Sequence, residues 1–117
     1  MIKGLGIDIV SVRKIEDLVK KYKSEQLKKI FSNKELEQEE ALPGMFAAKE
    51  ALSKALGTGM GEQIWFNQIE IKSGENEKPF FSESKVLKSL LSEINAKLAH
   101  LSISQEENYA VAVVMIE

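Results

Sequence analysis

The sequence predicts a single α+β domain, a largely antiparallel sheet packed against helices, and three observations carry that prediction. Apolar residues near both ends of the chain alternate with the period of a strand. Those in the middle recur with the period of a helix, and the 117 residues fit one hydrophobic core. The last third supplies the antiparallel character: Leu101 to Ser104 and Tyr109 to Ile116 flank the polar loop Gln105-Glu106-Glu107-Asn108, which reads as a hairpin.

From the N-terminus, Ile2 to Val10 is a strand in which Leu5, Ile7 and Ile9 alternate with Gly4, Gly6 and Asp8. Asp8 therefore projects from the face opposite the apolar row, and alternation alone makes it an outward residue. Ser11 caps a helix whose apolar stripe is Ile15, Leu18, Val19 and Tyr22. Leu27, Ile30 and Phe31 suggest a second short helical segment, and Ser32 with Glu35 has capping-box spacing for a third. Pro43 and Gly44 interrupt the pattern before a helix from Met45 to Leu56, striped by Met45, Ala48, Leu52 and Leu56. Gly57-Thr58-Gly59-Met60-Gly61 ends it. Ile64, Phe66, Ile69 and Ile71 have strand composition with a bend at Asn67-Gln68, and Ser73 to Lys78 is a turn closed by Pro79. Val86, Leu87, Leu90, Leu91, Ile94 and Leu98 then stripe a helix expected to run from Ser84 to Ala99.

Composition excludes several function classes. A net charge of -2 argues against a surface that is one electrostatic footprint for nucleic acid. Arg13 is the single arginine among sixteen basic residues, so most phosphate contacts must use lysine point charges. The absence of cysteine removes disulfides, thiolate metal sites and a cysteine nucleophile. No apolar run approaches membrane-spanning length, and MIKGLGIDIV lacks the pattern of a secretory leader, so a cytoplasmic protein without membrane contact is expected.

On the helix from Met45 to Leu56, Lys49, Glu50, Ser53 and Lys54 cluster opposite the apolar stripe, and Glu50, Lys54 and Gly57 are spaced four and then three apart. One face thus offers acid, hydroxyl, base and bare backbone. The same spacing also describes a solvated face carrying one ion pair worth about 0.3 to 0.5 kcal/mol.

The combination of motifs is more specific than any spacing. GIDIV near the N-terminus followed by FAAKEALSKALGTG, with Phe31-Ser32, Glu35-Leu36, Lys78-Pro79, Leu101-Ser102-Ile103-Ser104 and Tyr109-Ala110-Val111-Ala112, closely resembles the holo-acyl-carrier-protein synthase family of phosphopantetheinyl transferases. The resemblance implies the phosphopantetheinyl transferase fold and transfer of 4′-phosphopantetheine from coenzyme A to a serine of an acyl carrier protein, in the service of fatty acid biosynthesis. It implies magnesium held by Asp8 and Glu50, and a catalytic group of Asp8, Glu50 and Lys54; Glu50, or a metal-bound water near it, is the candidate base for the serine proton. Ser53, Lys54 and Lys49 are expected at coenzyme A, and Gly57, Thr58 and Gly59 along its path. Arg13 and Lys14 are expected to receive the carrier protein, in a homotrimer whose sites are shared between subunits. Gln105 stands where the family commonly has histidine, and Met45 where it often has arginine; His100 is assigned no role. The rival readings are a non-catalytic binder of coenzyme A or another nucleotide on the same fold, and a purely structural module.

Overall fold

The computed structural model describes residues 1–22, 24–57 and 63–117. Strands β1 (Gly4–Ser11), β4 (Ala99–Gln105) and β5 (Tyr109–Ile116) form an antiparallel sheet in the order β1-β5-β4. Asp8 pairs with Ala112 and Ala112 with Ile103, so one row of side chains crosses the sheet at Asp8. The expected final hairpin is present, and the α+β class holds. A second antiparallel pair, β2 (Ile71–Ser73) with β3 (Pro79–Phe81), lies beside β4.

Helix α4 (Leu42–Leu56) packs on the inner face of the main sheet. The contact is nearly backbone on backbone. A Cβ at Gly4 would lie 2.0 Å from the Ala55 carbonyl oxygen, and one at Gly6 the same 2.0 Å from that of Ala51. No residue but glycine fits at these two positions. Helix and strand therefore run in opposite directions, four helical residues (about 6 Å) matching two strand residues (about 6.6 Å). At its N-terminal end α4 lies over the other edge of the sheet, with Gly44 against Ile103 and Gln105 of β4.

Segments from the first half and the middle of the chain cover the opposite side of α4. They comprise α1 (Val12–Lys21), the one-turn helices α2 (Ser24–Leu27) and α3 (Asn33–Leu36), and the 3-10 turn Gln63–Gln68. The rings of Phe31 and Phe66 each stand 6.5 Å from that of Phe46, and α5 (Lys85–Ser92) adds Leu87 and Leu91 to the same core. Among the described residues, no helix is long and apolar enough to cross a membrane.

Several expectations are corrected. The apolar row Leu5, Ile7 and Ile9 faces outward, 67%, 60% and 62% exposed, while the glycine and Asp8 face turns inward to α4. Helix α4 begins three residues earlier than expected, because proline is tolerated in a first turn whose amides have no helical partner anyway. Residues 64–68 form a 3-10 turn and only Ile71 enters a strand. Helix α5 stops at Ser92, followed by Asn95 in the left-handed region, and Leu98 is exposed.

Candidate active site

The packing of β1 on α4 sets the geometry of the site. With Gly4 opposite Ala55 and Gly6 opposite Ala51, the next inward position of the strand, Asp8, falls beside the helical turn that carries Glu50. Lys54, one turn on, extends its side chain along the edge of the sheet. Its Nζ donates to Asp8 Oδ1 at 2.9 Å and to the Ile7 carbonyl at 3.0 Å. The Asp8 side chain is 14% exposed and that of Lys54 46%, so this pair lines an opening rather than a sealed core.

Glu50 is buried, and burial pushes its carboxyl above the ordinary carboxylate range. The Asp8 charge adds to the rise, while Lys54 opposes it. Two acids and one ammonium therefore act on one another at one edge of the sheet. Asp8 and Glu50 fit a magnesium ion by donor chemistry: both offer hard oxygens, they come from rigid elements, and magnesium typically takes one or two carboxylates beside substrate phosphates. Among the described residues no group of three or more metal-ligating side chains occurs, so a full protein cage is not formed.

Ser53 is buried on the same helix. Gly57 caps α4 in the left-handed region, φ 79°, its N–H donating to the Ser53 and Lys54 carbonyls. Thr58 and Gly59 lie outside the described residues. Arg13 and Lys14 are exposed on the first turn of α1, which begins four residues after Asp8, and Ser11 caps that helix as expected by accepting from the Lys14 amide.

Lys49 is placed differently from expectation. It points into the core with no exposure, and its Nζ donates to Glu35 Oε1 at 2.6 Å, the Ile30 carbonyl at 2.9 Å and the Phe66 carbonyl at 2.5 Å. It is therefore not on the ligand face, because α4 is buried nearly all round and its polar residues divide between two sides. Glu35 was legible only as a cap. It does complete the capping box with Ser32, but its second oxygen also accepts from the Ile71 amide. No local pattern links Glu35 to a lysine fourteen residues on.

Gln105 and Met45 line a cleft of about 360 Å³ with Gly44, Pro79 and Ile103 at the β4 end of the sheet. Gln105 Nε2 donates to the Glu40 carbonyl at 3.1 Å. The cleft lies at the β4 edge of the sheet and Asp8 at the β1 edge. His100 pairs with Glu117 at 2.6 Å on the exposed surface, away from the acids.

A strand-borne acid, a helix-borne acid and a lysine on this sheet define a class. The model of the 4′-phosphopantetheinyl transferase superfamily matches residues 4–114, and the chain belongs to that superfamily. Within it, the relatives are holo-acyl-carrier-protein synthases, and the chain is an enzyme of that group. The synthase of Ruthia magnifica is 40% identical over 128 residues, covering 100% of this chain and 98% of the relative. The crystal structure of the synthase from Neisseria meningitidis superposes with a TM-score of 0.86 at 35% identity, covering 100% of this chain and 99% of that one. That of Helicobacter pylori, in complex with coenzyme A, has a TM-score of 0.82 at 34% identity and covers 97% and 99%.

Proposed function

We propose that the site transfers 4′-phosphopantetheine from coenzyme A to the serine of an apo acyl carrier protein, in a magnesium-dependent reaction that serves fatty acid biosynthesis. The observation that carries this reading is the meeting of Asp8, Glu50 and Lys54 at the β1 edge, in a fold whose Helicobacter pylori relative was crystallised with coenzyme A. The serine oxygen attacks the β-phosphorus, the bridging P–O bond breaks, and adenosine 3′,5′-bisphosphate leaves. The serine proton is released to a base, for which Glu50 is the candidate, its proton affinity already raised by burial. Lys54, half in solvent, is placed to balance charge on the phosphoryl group or the leaving group. Gly57 leaves bare backbone where the ligand passes. Asp8 and Glu50 would hold a magnesium ion, which would supply positive charge to offset that of the phosphates.

The carrier protein docks on Arg13 and Lys14, the exposed cations at the start of α1, within a few residues of Asp8. The working form is a homotrimer. Two features support it: the outward row Leu5, Ile7 and Ile9, continued by Val113 and Tyr109, is an apolar sheet face open to solvent, and the Gln105–Met45 cleft lies at the opposite edge from Asp8. Sites shared between copies join those two edges.

Incubation with apo carrier protein, coenzyme A and magnesium should add one phosphopantetheine mass to the carrier, and chelation of the metal should abolish the increment. Native mass spectrometry of the same sample should record a trimer; a monomer at micromolar concentration would overturn the shared-site arrangement. Arg13→Glu with Lys14→Glu should raise the KM for carrier protein about tenfold or more with little change for coenzyme A. Equal effects on both substrates would exclude docking at α1.

A further inference from the structure

The ammonium of Lys54 lies where a cation is wanted. It touches Asp8 Oδ1 at 2.9 Å and opposes the raising of the Glu50 carboxyl, so among the described residues it is a positive charge acting on both acids. Its second contact has a local cause: β1 is an edge strand, and the Ile7 carbonyl on its open edge accepts from Lys54 at 3.0 Å. The lysine is thus drawn to this position by an unpaired strand edge as well as by the carboxylates. It remains half in solvent on a flexible stem, free to swing away without opening the core.

From this geometry we infer that Lys54 is an internal counter-ion that a divalent metal displaces from Asp8, so that metal binding releases the ammonium to face the phosphates of coenzyme A. The inference rests on the reading of Asp8 and Glu50 as metal ligands. A +2 ion and an ammonium cannot both use Asp8 Oδ1 at contact distance without repelling one another. Lys54 therefore lowers metal affinity while the enzyme is empty. Once the phosphates arrive they take up the lysine, and that penalty disappears. Metal and coenzyme A then bind cooperatively, each strengthening the other by the same factor.

The test is calorimetric titration of Mn²⁺ into full-length protein, with and without saturating coenzyme A, for wild type, Lys54→Met and Lys54→Arg. Lys54→Met should bind Mn²⁺ about tenfold more tightly than wild type in the absence of coenzyme A, and should lose most of that advantage in its presence. Lys54→Arg keeps the charge and should stay within about threefold of wild type. Affinity in Lys54→Met equal to or weaker than wild type overturns the inference, as does equal tightening in Lys54→Arg. If wild type binds no Mn²⁺ even with coenzyme A, it is the assignment of Asp8 and Glu50 as ligands that fails.

Discussion

Asp8→Ala should yield a folded protein whose phosphopantetheine transfer is at least about a thousandfold slower than wild type. The stability cost is small because the ion pair lost is with the half-exposed Lys54, and ion pairs in that setting contribute about 0 to 1 kcal/mol. The functional cost is large because one of the two carboxylates proposed to hold the metal is lost. A metal's stabilisation of phosphoryl charge amounts to several kcal/mol, and about 4 kcal/mol corresponds to a thousandfold in rate. The carrier increment read by mass spectrometry over a time course gives the rate, and thermal melting checks the fold. Transfer within tenfold of wild type at equal magnesium would remove Asp8 from the site. Glu50→Gln should fall by a comparable factor, since it removes the other proposed ligand and the candidate base together.

The positions of these acids illustrate what the chain spells out locally and what it does not. Alternation in β1 separates Asp8 from Leu5, Ile7 and Ile9, but a period of two does not say which face is covered. Hydrophobicity favours the leucine and isoleucine face as the core, and the structure has the reverse. The deciding residues are Gly4 and Gly6, whose missing side chains admit the backbone of α4. Asp8 is carried inward with them. The caps at Ser11, Ser32 and Gly57 were legible because each depends on neighbours within four residues, and the final hairpin because its two strands are adjacent in the chain. Lys49 was not, because the helix that carries it is buried nearly all round and its partner comes from a distant turn. Periodicity assigns one wet face to an amphipathic helix, and α4 is not one. The 3-10 turn at 63–68 failed for a related reason: Trp65, Phe66 and Ile69 are buried by tertiary packing rather than by a pleat.

The buried pair that resulted carries the other large effect. Lys49→Met should destabilise the fold by about 3 to 5 kcal/mol, out of the roughly 5 to 15 typical of a domain. The loss exceeds that of an ordinary core substitution because Lys49 closes four contacts at once, to Glu35, Ile30, Phe66 and the Phe31 ring 5.5 Å away. Its removal strands the buried Phe66 carbonyl and the half-buried Ile30 carbonyl, and among the described residues leaves the Glu35 carboxylate with the Ser32 and Ile71 amides. Glu35→Gln should behave differently with pH. Burial is the main cause holding the Lys49 ammonium below its usual range, and Glu35 pulls it back up. Without that carboxylate the lysine falls further, so between its folded value and the unfolded 10.5 the unfolded chain binds more protons and stability rises with pH. The deficit of Glu35→Gln relative to wild type, measured by urea unfolding, should therefore shrink between pH 7 and pH 9.5. That of Lys49→Met, which has no ammonium to discharge, should not shrink by this route. Equal pH dependence in the two variants would mean that Lys49 keeps its proton in folded Glu35→Gln across this range, so that Glu35 is not what holds the ammonium charged.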